Sequence, residues 1–264
     1  NGLSDEGVAA LQLTMRNGRR CSTAVAYLRS AMRRDNLTVF THTTADKLIF
    51  DGLRCVGLEC IHQGDRITVH AADEVILSAG SIESPAILER SGIGSPRVLG
   101  PLGINTLVES KQVGENLQDH LQVRMSFEIE GERTVNDLMN KPWVGAAEGL
   151  RYLLSRRGLL TTSSVTAHSI MKSHHLSDHA DTKIQLALIS GKDRYSGDGN
   201  GLDRCSGITL GTFQVRPHSR GSVHAKSTDP SVPPSIEPNY LLEETDRKLT
   251  LSGLRLIREV AAQP

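Results

Sequence analysis

Aromatic residues are scarce in this sequence: Phe, Tyr and Trp together make up 3% of the 264 residues. Few rings are therefore available to stack on bases, which argues against a protein that binds single-stranded nucleic acid. An excess of one charge is missing too, since 30 Lys and Arg residues balance 30 Asp and Glu residues. A net charge of zero provides no general attraction to nucleic acid or to an anionic membrane.

Long apolar runs and paired cysteines are also missing. No run approaches the roughly 20 apolar residues that a membrane-spanning helix needs, and we find no secretory signal pattern. The four cysteines, Cys21, Cys55, Cys60 and Cys205, form no Cys-x-x-Cys motif. We therefore expect reduced thiols in a cytoplasmic protein without a membrane span.

Residues 74–94 combine a short apolar run, a turn of small residues and the start of a helix. The apolar run at residues 75–77 predicts a strand buried on both faces, as in a parallel sheet. The pair Ser84-Pro85 predicts an N-cap followed by the first helical residue. Glycines within residues 91–94 predict the end of this helix.

A strand that leads through small residues into a helix N-terminus is a pattern that binds anions. The free N–H groups and the positive end of the helix dipole attract negative charge, and small side chains let a ligand approach the backbone. The pattern predicts a nucleotide or phosphate site at this turn. An ordinary strand–helix connection in an α/β domain explains the same residues equally well, and both interpretations stay open at this point.

The string from Gly80 to Gly94 resembles the second signature of the glucose–methanol–choline (GMC) oxidoreductases, which are FAD-dependent alcohol oxidases and dehydrogenases. The small residues at its start, the Ser-Pro pair, the aliphatic pair and the Ser-Gly-Ile-Gly ending all fall at the family spacing. The resemblance extends over nearly the whole chain, with further similar segments at residues 18–28, 36–39, 113–120, 216–223 and 233–240.

The resemblance implies a mixed α/β fold with two parts. Residues 1–124 are expected to form part of a Rossmann-like FAD-binding domain with a β-meander, and residues 125–264 part of a substrate-binding domain with an antiparallel sheet and helices. Residues 1–14 are expected to be a loop. The strands are predicted at residues 37–41, 47–50, 55–61, 66–70, 125–129, 184–189, 208–215 and 233–240, and helices at residues 22–34, 136–154 and from residue 245 onward.

The resemblance also implies the cofactor, FAD, and six residues that bind it: Ala45, Ser78, Ala79, Gly80, Ser84 and Asn116. Ala45 stands where the family has a Val whose backbone touches the adenine ring. Asn116 belongs to a loop that the resemblance places near the flavin. From the residues alone, Asn116, Asp119 and His120 fit a capped turn, bonded to its own backbone, as well as a cofactor loop.

Two family segments have no counterpart in this sequence. One is the Gly-x-Gly-x-x-Gly turn that holds the FAD pyrophosphate, and the other carries the His pair, or His and Asn, that removes the alcohol proton. We therefore interpret the chain as an internal fragment, inactive alone, of an enzyme that oxidises a primary alcohol to an aldehyde with hydride transfer to the flavin. No catalytic base is assigned to any of the ten histidines.

The partner expected from the resemblance is a small-molecule alcohol; the electron acceptor, oxygen or a quinone, is not defined by the sequence. A hydroxynitrile-lyase-type use of the scaffold and a non-catalytic binding module remain as alternatives. His174, His175, Asp178 and His179 lack a complete metal-binding motif, so no metal site is predicted. Residues 191–207 lack the spacing of a calcium loop and are predicted to be a surface loop.

Overall fold

The computed structural model describes residues 6–163, 165–173, 178–191 and 201–263. The described part is mixed α/β, as predicted. The chain forms two compact units that interleave along the sequence: unit 1 contains Asn1–Arg33, His120–Pro217 and Glu243–Pro264, and unit 2 contains Arg34–Asp119 and His218–Leu242. A single division after residue 124 does not coincide with these units, and the assignment of cofactor and substrate roles to the two predicted ranges stays a prediction.

The strands are short and mostly antiparallel. In chain order they are β1 Gly7–Ala10, β2 Met15–Arg16, β3 Arg19–Arg20, β4 Thr43–Asp51, β5 Arg54–His62, β6 Asp65–His70, β7 Ile93–Gly94, β8 Val108–Glu109, β9 Glu115–Leu117, β10 Val123–Glu128, β11 Val165–Met171, β12 Thr182–Ala187, β13 Gly207–Gln214, β14 Gly221–His224 and β15 Ser235–Glu237. Only the pair β7–β8 is parallel among the described strand pairs.

The helices vary from a single turn to five turns. They are α1 Arg29–Ala31, α2 Gly80–Arg90, α3 Pro96–Leu99, α4 Val135–Asn140, α5 Pro142–Ser155 and α6 Glu244–Ala261. A π-helical turn at Ala24–Leu28 precedes α1, and 3₁₀ turns lie at Gly100–Leu102 and Leu159–Thr161. The helix predicted over residues 136–154 is divided into α4 and α5, and α5 begins at Pro142 because proline suits the first position of a helix.

Unit 1 is built on a five-stranded antiparallel sheet in the order β1-β11-β12-β13-β10. Side chains alternate between its two faces, and one face packs against α6. The core of that layer consists of Ile184, Leu210 and Ile257. Gly253 of α6 lets helix and sheet approach closely, since a Cβ at this position would lie 2.3 Å from the Thr212 hydroxyl.

Unit 2 contains the predicted meander, an antiparallel sheet in the order β4-β5-β6. The turns between its strands lie where the sequence predicted them, with left-handed backbone at Gly52, Gln63 and Gly64. A second three-stranded sheet has the order β15-β14-β9. Helix α2 packs against both β4 and β14.

Three strand and loop predictions are wrong. Within residues 1–14, predicted as a loop, β1 pairs with β11, about 160 residues later in the chain, which no local pattern reveals. Residues 37–41 form no strand. Residues 75–77 also form no strand, and Ile76 is 78% exposed instead of buried. A strand buried on both faces needs neighbours, and no strand of the described residues pairs with this run.

The predicted start of α2 is wrong as well, whereas its end is right. The helix begins at Gly80, so Ser84 is not an N-cap and Pro85 lies inside the helix. Pro85 lacks an N–H and removes one hydrogen bond, but the helix continues through it for another turn. At the other end, Gly92 adopts the left-handed backbone of a C-terminal cap with φ 84°, and its N–H donates to the Glu89 carbonyl.

Candidate functional site

The C-terminal half of α2 is anchored by a fully buried carboxylate. Glu89 is 0% exposed. It accepts a hydrogen bond from the Ala225 N–H at 2.6 Å and lies 2.7 Å from Nδ1 of His224. The other ring nitrogen of His224 lies 3.2 Å from a carboxylate oxygen of Glu115. These contacts tie α2 to β14 and to β9.

The next residue, Arg90, ties α2 to the meander. Its Nε donates to the Asp46 carbonyl oxygen at 3.0 Å and lies 3.5 Å from the Asp46 carboxylate. Arg66 contacts the same carboxylate at 2.7 Å. Asp46 lies at an irregularity in the β4–β5 register, between Ala45 and Lys47, and is 2% exposed. The bulge directs this carboxylate inward, where two guanidinium groups compensate its charge.

Ser91 adds a third anchor between α2 and β4. Its hydroxyl accepts a hydrogen bond from the Leu48 N–H at 2.8 Å and donates one to the Ile87 carbonyl at 2.5 Å. Gly92 follows in close contact with the chain beyond, since a Cβ there would lie 2.7 Å from the Asn105 carbonyl oxygen. The second half of the signature is therefore structural: three successive side chains fix the helix in place.

The first half of the signature is open to solvent. Ser78, Ala79 and Gly80 are exposed, and Ser84 is half-buried one turn into the helix. Gly80 has φ 86°, and a Cβ at this position would meet no atom within 4 Å. The start of the fixed helix thus presents backbone N–H groups beside small, exposed side chains; that residues 78–80 bind a cofactor stays a prediction.

Ala45 is half-buried on β4, opposite Cys60 of β5. Because β4 is the edge strand of the meander, alternate backbone groups of β4 do not take part in the sheet ladder. The contacts between β4 and α2 described above involve Arg90 and Ser91. These residues lie at the end of α2 opposite to residues 78–80, and a helix of 11 residues is about 16 Å long. Ala45 and the start of α2 are therefore separate parts of unit 2.

Asn116 has a left-handed backbone with φ 66° and is exposed. It lines a polar cavity of about 440 Å³, together with Lys111, Gln112, Glu115, Arg220, Gly221, Ser222 and Asn239. The turn that leads into it is tightly packed, because a Cβ at Gly114 would lie 2.3 Å from the Val223 carbonyl oxygen. Asn116 therefore lies in a separate cavity of unit 2, apart from the other five predicted residues.

Asp119 and His120 make long-range contacts. The Tyr240 hydroxyl donates a hydrogen bond to the Asp119 carboxylate, and this bond, together with burial, raises the pKa of Tyr240. Nε2 of His120 lies 3.1 Å from the Val215 carbonyl oxygen, and its ring packs on Phe213 at 4.7 Å. The sequence allowed a capped turn in which these two side chains bond to their own backbone. Their contacts are instead with residues far along the chain.

The sheet of unit 1 carries a row of polar side chains on the face opposite to α6. His168 pairs with Gln185, which pairs with Gly211 on the next strand. Gln122 reaches across Gly211 and donates to Gln185 at 3.0 Å. It has room because Gly211 has no side chain, and a Cβ there would lie 2.5 Å from Gln122 Nε2.

His168 is the unusual member of this row. Its Nδ1 is buried and makes no hydrogen bond with the described residues. Burial, followed by the positive charge of Lys183, lowers the pKa of His168. Both causes favour the neutral imidazole, whose Nδ1 is enclosed by the protein.

The anchoring residues and the polar row were not predicted from the sequence. A signal for the first set was present: Glu89 and Arg90 follow the apolar Ala86 and Ile87 by three residues each, so they share the buried face of α2. No comparable signal exists for the polar row, because its members come from strands far apart in sequence.

In the described ranges, no group of three or more His, Cys, Asp or Glu side chains is arranged to hold a metal. Residues 174–177, which include two histidines of the metal-like cluster, lie outside the described residues, as do residues 192–200 of the predicted surface loop. None of the helices described has both the length and the apolar composition needed to cross a membrane.

Comparison with known families gives two matches. The N-terminal GMC oxidoreductase family model matches residues 1–122, and the C-terminal GMC oxidoreductase model matches residues 217–264. The two matches of one family together cover more than half of the chain. This chain belongs to the GMC oxidoreductase family. FAD is the cofactor of the family, which confirms the cofactor expected from the sequence.

Among curated relatives, an uncharacterized GMC-type oxidoreductase of Mycobacterium tuberculosis is 36% identical over 264 residues, covering 99% of this chain and 48% of the relative. An oxygen-dependent choline dehydrogenase of Paraburkholderia phytofirmans is 33% identical, covering 100% of this chain and 46% of the relative. The chain thus spans about half the length of the curated relatives it matches.

Solved structures show the same fold. Pyridoxine 4-oxidase from Mesorbium loti superposes with a TM-score of 0.78 at 26% identity, covering 97% of this chain and 46% of that protein. A formate oxidase variant of Aspergillus oryzae superposes with a TM-score of 0.82 at 22% identity, covering 93% and 46% respectively.

The predicted residues also fit FAD by their chemistry. An adenine ring presents a donor beside an acceptor, which complements a backbone N–H beside a backbone C=O, such as β4 could offer near Ala45. Exposed N–H groups at the start of α2 suit the polar ribose and phosphate groups, and no atom of the described residues lies within 4 Å of a Cβ placed at Gly80. The individual roles of Ala45, Ser78, Ala79, Gly80, Ser84 and Asn116 stay predictions.

Proposed function

We propose that the protein containing this chain is an FAD-dependent oxidoreductase that oxidises the CH–OH group of a small alcohol to an aldehyde. The observation that carries the proposal is the fixation of α2 by Glu89, Arg90 and Ser91. A helix held at its far end by buried contacts keeps its exposed, small-residue start in one position, which is what a bound cofactor requires. Membership of the GMC family supports the same proposal.

The chain contributes mainly cofactor-binding groups in unit 2. Backbone groups of β4 near Ala45 bind the adenine ring, the start of α2 at residues 78–80 binds the ribose and phosphate groups, and Ser84 supports that turn of the helix. Asn116, in its left-handed conformation, contacts the cofactor from its polar cavity. When bound, FAD supplies the acceptor for the hydride that leaves the alcohol carbon.

The alcohol meets the polar face of the sheet in unit 1. Gln185 is held in place by Gln122, which in turn accepts a hydrogen bond from Arg124 at 2.7 Å. These groups orient a hydroxyl-bearing substrate, and no proton-abstracting residue is assigned to this chain.

The finer features of the proposal follow from the sequence and the relatives. The substrate class is that of small alcohols such as the choline named for several relatives, and a cytoplasmic location agrees with the four free thiols. The chain alone binds FAD weakly and turns over no alcohol, because the Gly-x-Gly-x-x-Gly turn and the proton-abstracting segment have no counterpart in its sequence.

A tryptophan at the start of α2 tests the cofactor part of the proposal. In the longer protein, Ala79→Trp fills the space in front of the helix, and we expect the Kd for FAD to rise about tenfold or more. Ala72→Trp places the same side chain at another exposed position and leaves the Kd unchanged. Equal flavin content in both variants and in the unmodified protein would overturn the proposed binding site.

A further inference from the structure

A second cavity, in unit 1, is lined mainly by guanidinium groups. It has a volume of about 580 Å³, and its lining includes Arg16, Arg19, Arg20, Arg29 and Arg156, together with Asn17. Among the described residues, no Asp or Glu lines it. Because the chain as a whole has a net charge of zero, five cations around one cavity are a local feature and not a result of general basicity.

One wall of the cavity is the hairpin formed by β2 and β3. Asn17 and Gly18 make its two-residue turn with φ 52° and 69°, and the register places Arg16 directly opposite Arg19. Like charges at directly opposed positions destabilise a strand pair. The hairpin is nevertheless held in place, because the Tyr152 hydroxyl donates to the Gly18 carbonyl at 3.2 Å.

The other walls come from the end of α5 and from the π-helical turn. A Cβ at Gly18 would lie 2.8 Å from the Arg156 carbonyl oxygen, so the hairpin packs directly on the residue that ends α5. The Arg29 N–H donates to the carbonyl of Ala24, five residues earlier, which is the π-helical pattern. Such turns occur frequently at functional sites, and this one precedes Arg29.

Within the ranges that the structure describes, the five arginines have no carboxylate partners. Among the described residues, none of the five forms an ion pair; Arg156 instead stacks on the Tyr152 ring at 4.7 Å. Planar guanidinium groups match the paired oxygens of phosphate and carboxylate groups. We propose that this cavity binds a small polyanion that carries several phosphate or carboxylate groups, at a site separate from the FAD-binding residues.

The size of the site favours a small molecule. A volume of about 580 Å³ falls within the usual range of ligand cavities, roughly 300–1,000 Å³. The bound polyanion relieves the repulsion between Arg16 and Arg19, so it stabilises the hairpin and raises the melting temperature of the chain.

Calorimetric titration of the longer protein with sodium tripolyphosphate and with citrate tests the proposal. We expect saturable binding with one site per chain, and we expect the affinity to fall as salt is added. The variant Arg16→Gln/Arg19→Gln weakens it by roughly tenfold to a hundredfold for each arginine removed. The matched control Arg97→Gln/Arg255→Gln removes two exposed arginines outside the cavity and leaves binding unchanged. Tighter binding of tripolyphosphate indicates a phosphate ester as the natural ligand, and tighter binding of citrate indicates a polycarboxylate.

A conservative variant separates a local effect from misfolding. Arg19→Lys keeps the charge and loses the planar fork, so it folds normally and binds with an intermediate affinity. Excess FAD does not displace the bound polyanion. The proposal is overturned if neither probe binds saturably, if the matched control loses as much affinity as the cavity variant, if FAD displaces the probe, or if RNA or anionic vesicles bind more tightly through the same arginines.

Discussion

The carboxylate of Glu89 and the imidazole of His224 lie 2.7 Å apart although 135 positions separate them in the chain. Glu89 also accepts a hydrogen bond from the Ala225 N–H, so one buried carboxylate fixes the end of α2 to β14. A buried charge without these partners would be costly. The pair therefore explains why a charged residue occupies a fully buried position of the signature helix.

Replacing Glu89 by Gln should destabilise the fold. A glutamine amide can accept from only one of the two neighbours, because its nitrogen is a donor. We expect a loss of about 1–3 kcal/mol in the free energy of unfolding, measured by urea denaturation. Glu83→Gln, on the exposed side of the same helix, serves as control and should change stability little. Equal stability of both variants would contradict the anchoring role of Glu89.

A methyl group at Gly92 should lower the free energy of unfolding more than a methyl group at Gly103. Both glycines have left-handed backbone, with φ 84° and 70°, so either substitution introduces strain of about 1–2 kcal/mol. Only at Gly92 would the new Cβ also meet a neighbour, the Asn105 carbonyl oxygen at 2.7 Å; none lies within 4 Å at Gly103. Thermal unfolding should show that Gly92→Ala loses about 1–3 kcal/mol more of the free energy of unfolding than the substitution at Gly103. An identical loss in both variants would exclude the contact.

Acid should weaken unit 1 through Asp137. Burial raises the pKa of this carboxyl, but hydrogen bonds from Lys141, the Thr134 N–H and Ser206 outweigh burial and hold the pKa well below its usual range. A lowered pKa gives stability that is fully present above the unfolded value of about 3.9 and is lost as the pH falls below it.

Asp137→Asn should therefore flatten the acid limb of the stability curve, measured as urea midpoints over a series of pH values. Asp35→Asn, at an exposed position, should leave that limb unchanged. The same slope in Asp137→Asn and in the unmodified chain would refute the prediction.

A side chain at Gly211 should disturb the polar row. In Gly211→Val the Cβ displaces Gln122 and breaks its bond to Gln185. If this row orients the alcohol, KM for the alcohol rises severalfold in the longer protein while flavin content stays constant. Gly149→Ala, where no atom lies within 4 Å of the new Cβ, is the control. An unchanged KM in Gly211→Val would remove the row from the substrate site.

The sequence predicted those features that depend on short-range pattern. The three strands of the meander were predicted at residues 47–50, 55–61 and 66–70, and the end of α2 followed from Gly92. The start of α2 was missed because Pro85 is a strong local signal that the helix overrides. β1 was missed because its partner is about 160 residues away.

For the candidate site, the sequence indicated the exposed residues but not the contacts that hold them in position. Small residues at 78–80 are recognisable as a string, whereas the contacts that hold them, such as Arg90 to Asp46, depend on a bulge in β4 that no pattern announces. The arginine cavity was missed for the same reason, since Arg156 lies about 140 positions beyond the hairpin it contacts.

The visible absorption spectrum of the complete protein that contains this chain tests the central claim most directly. The account predicts a flavin spectrum that bleaches when an alcohol is added without oxygen, because hydride leaves the alcohol for the cofactor. A folded, colourless protein, or a flavin spectrum that no alcohol changes, would contradict it.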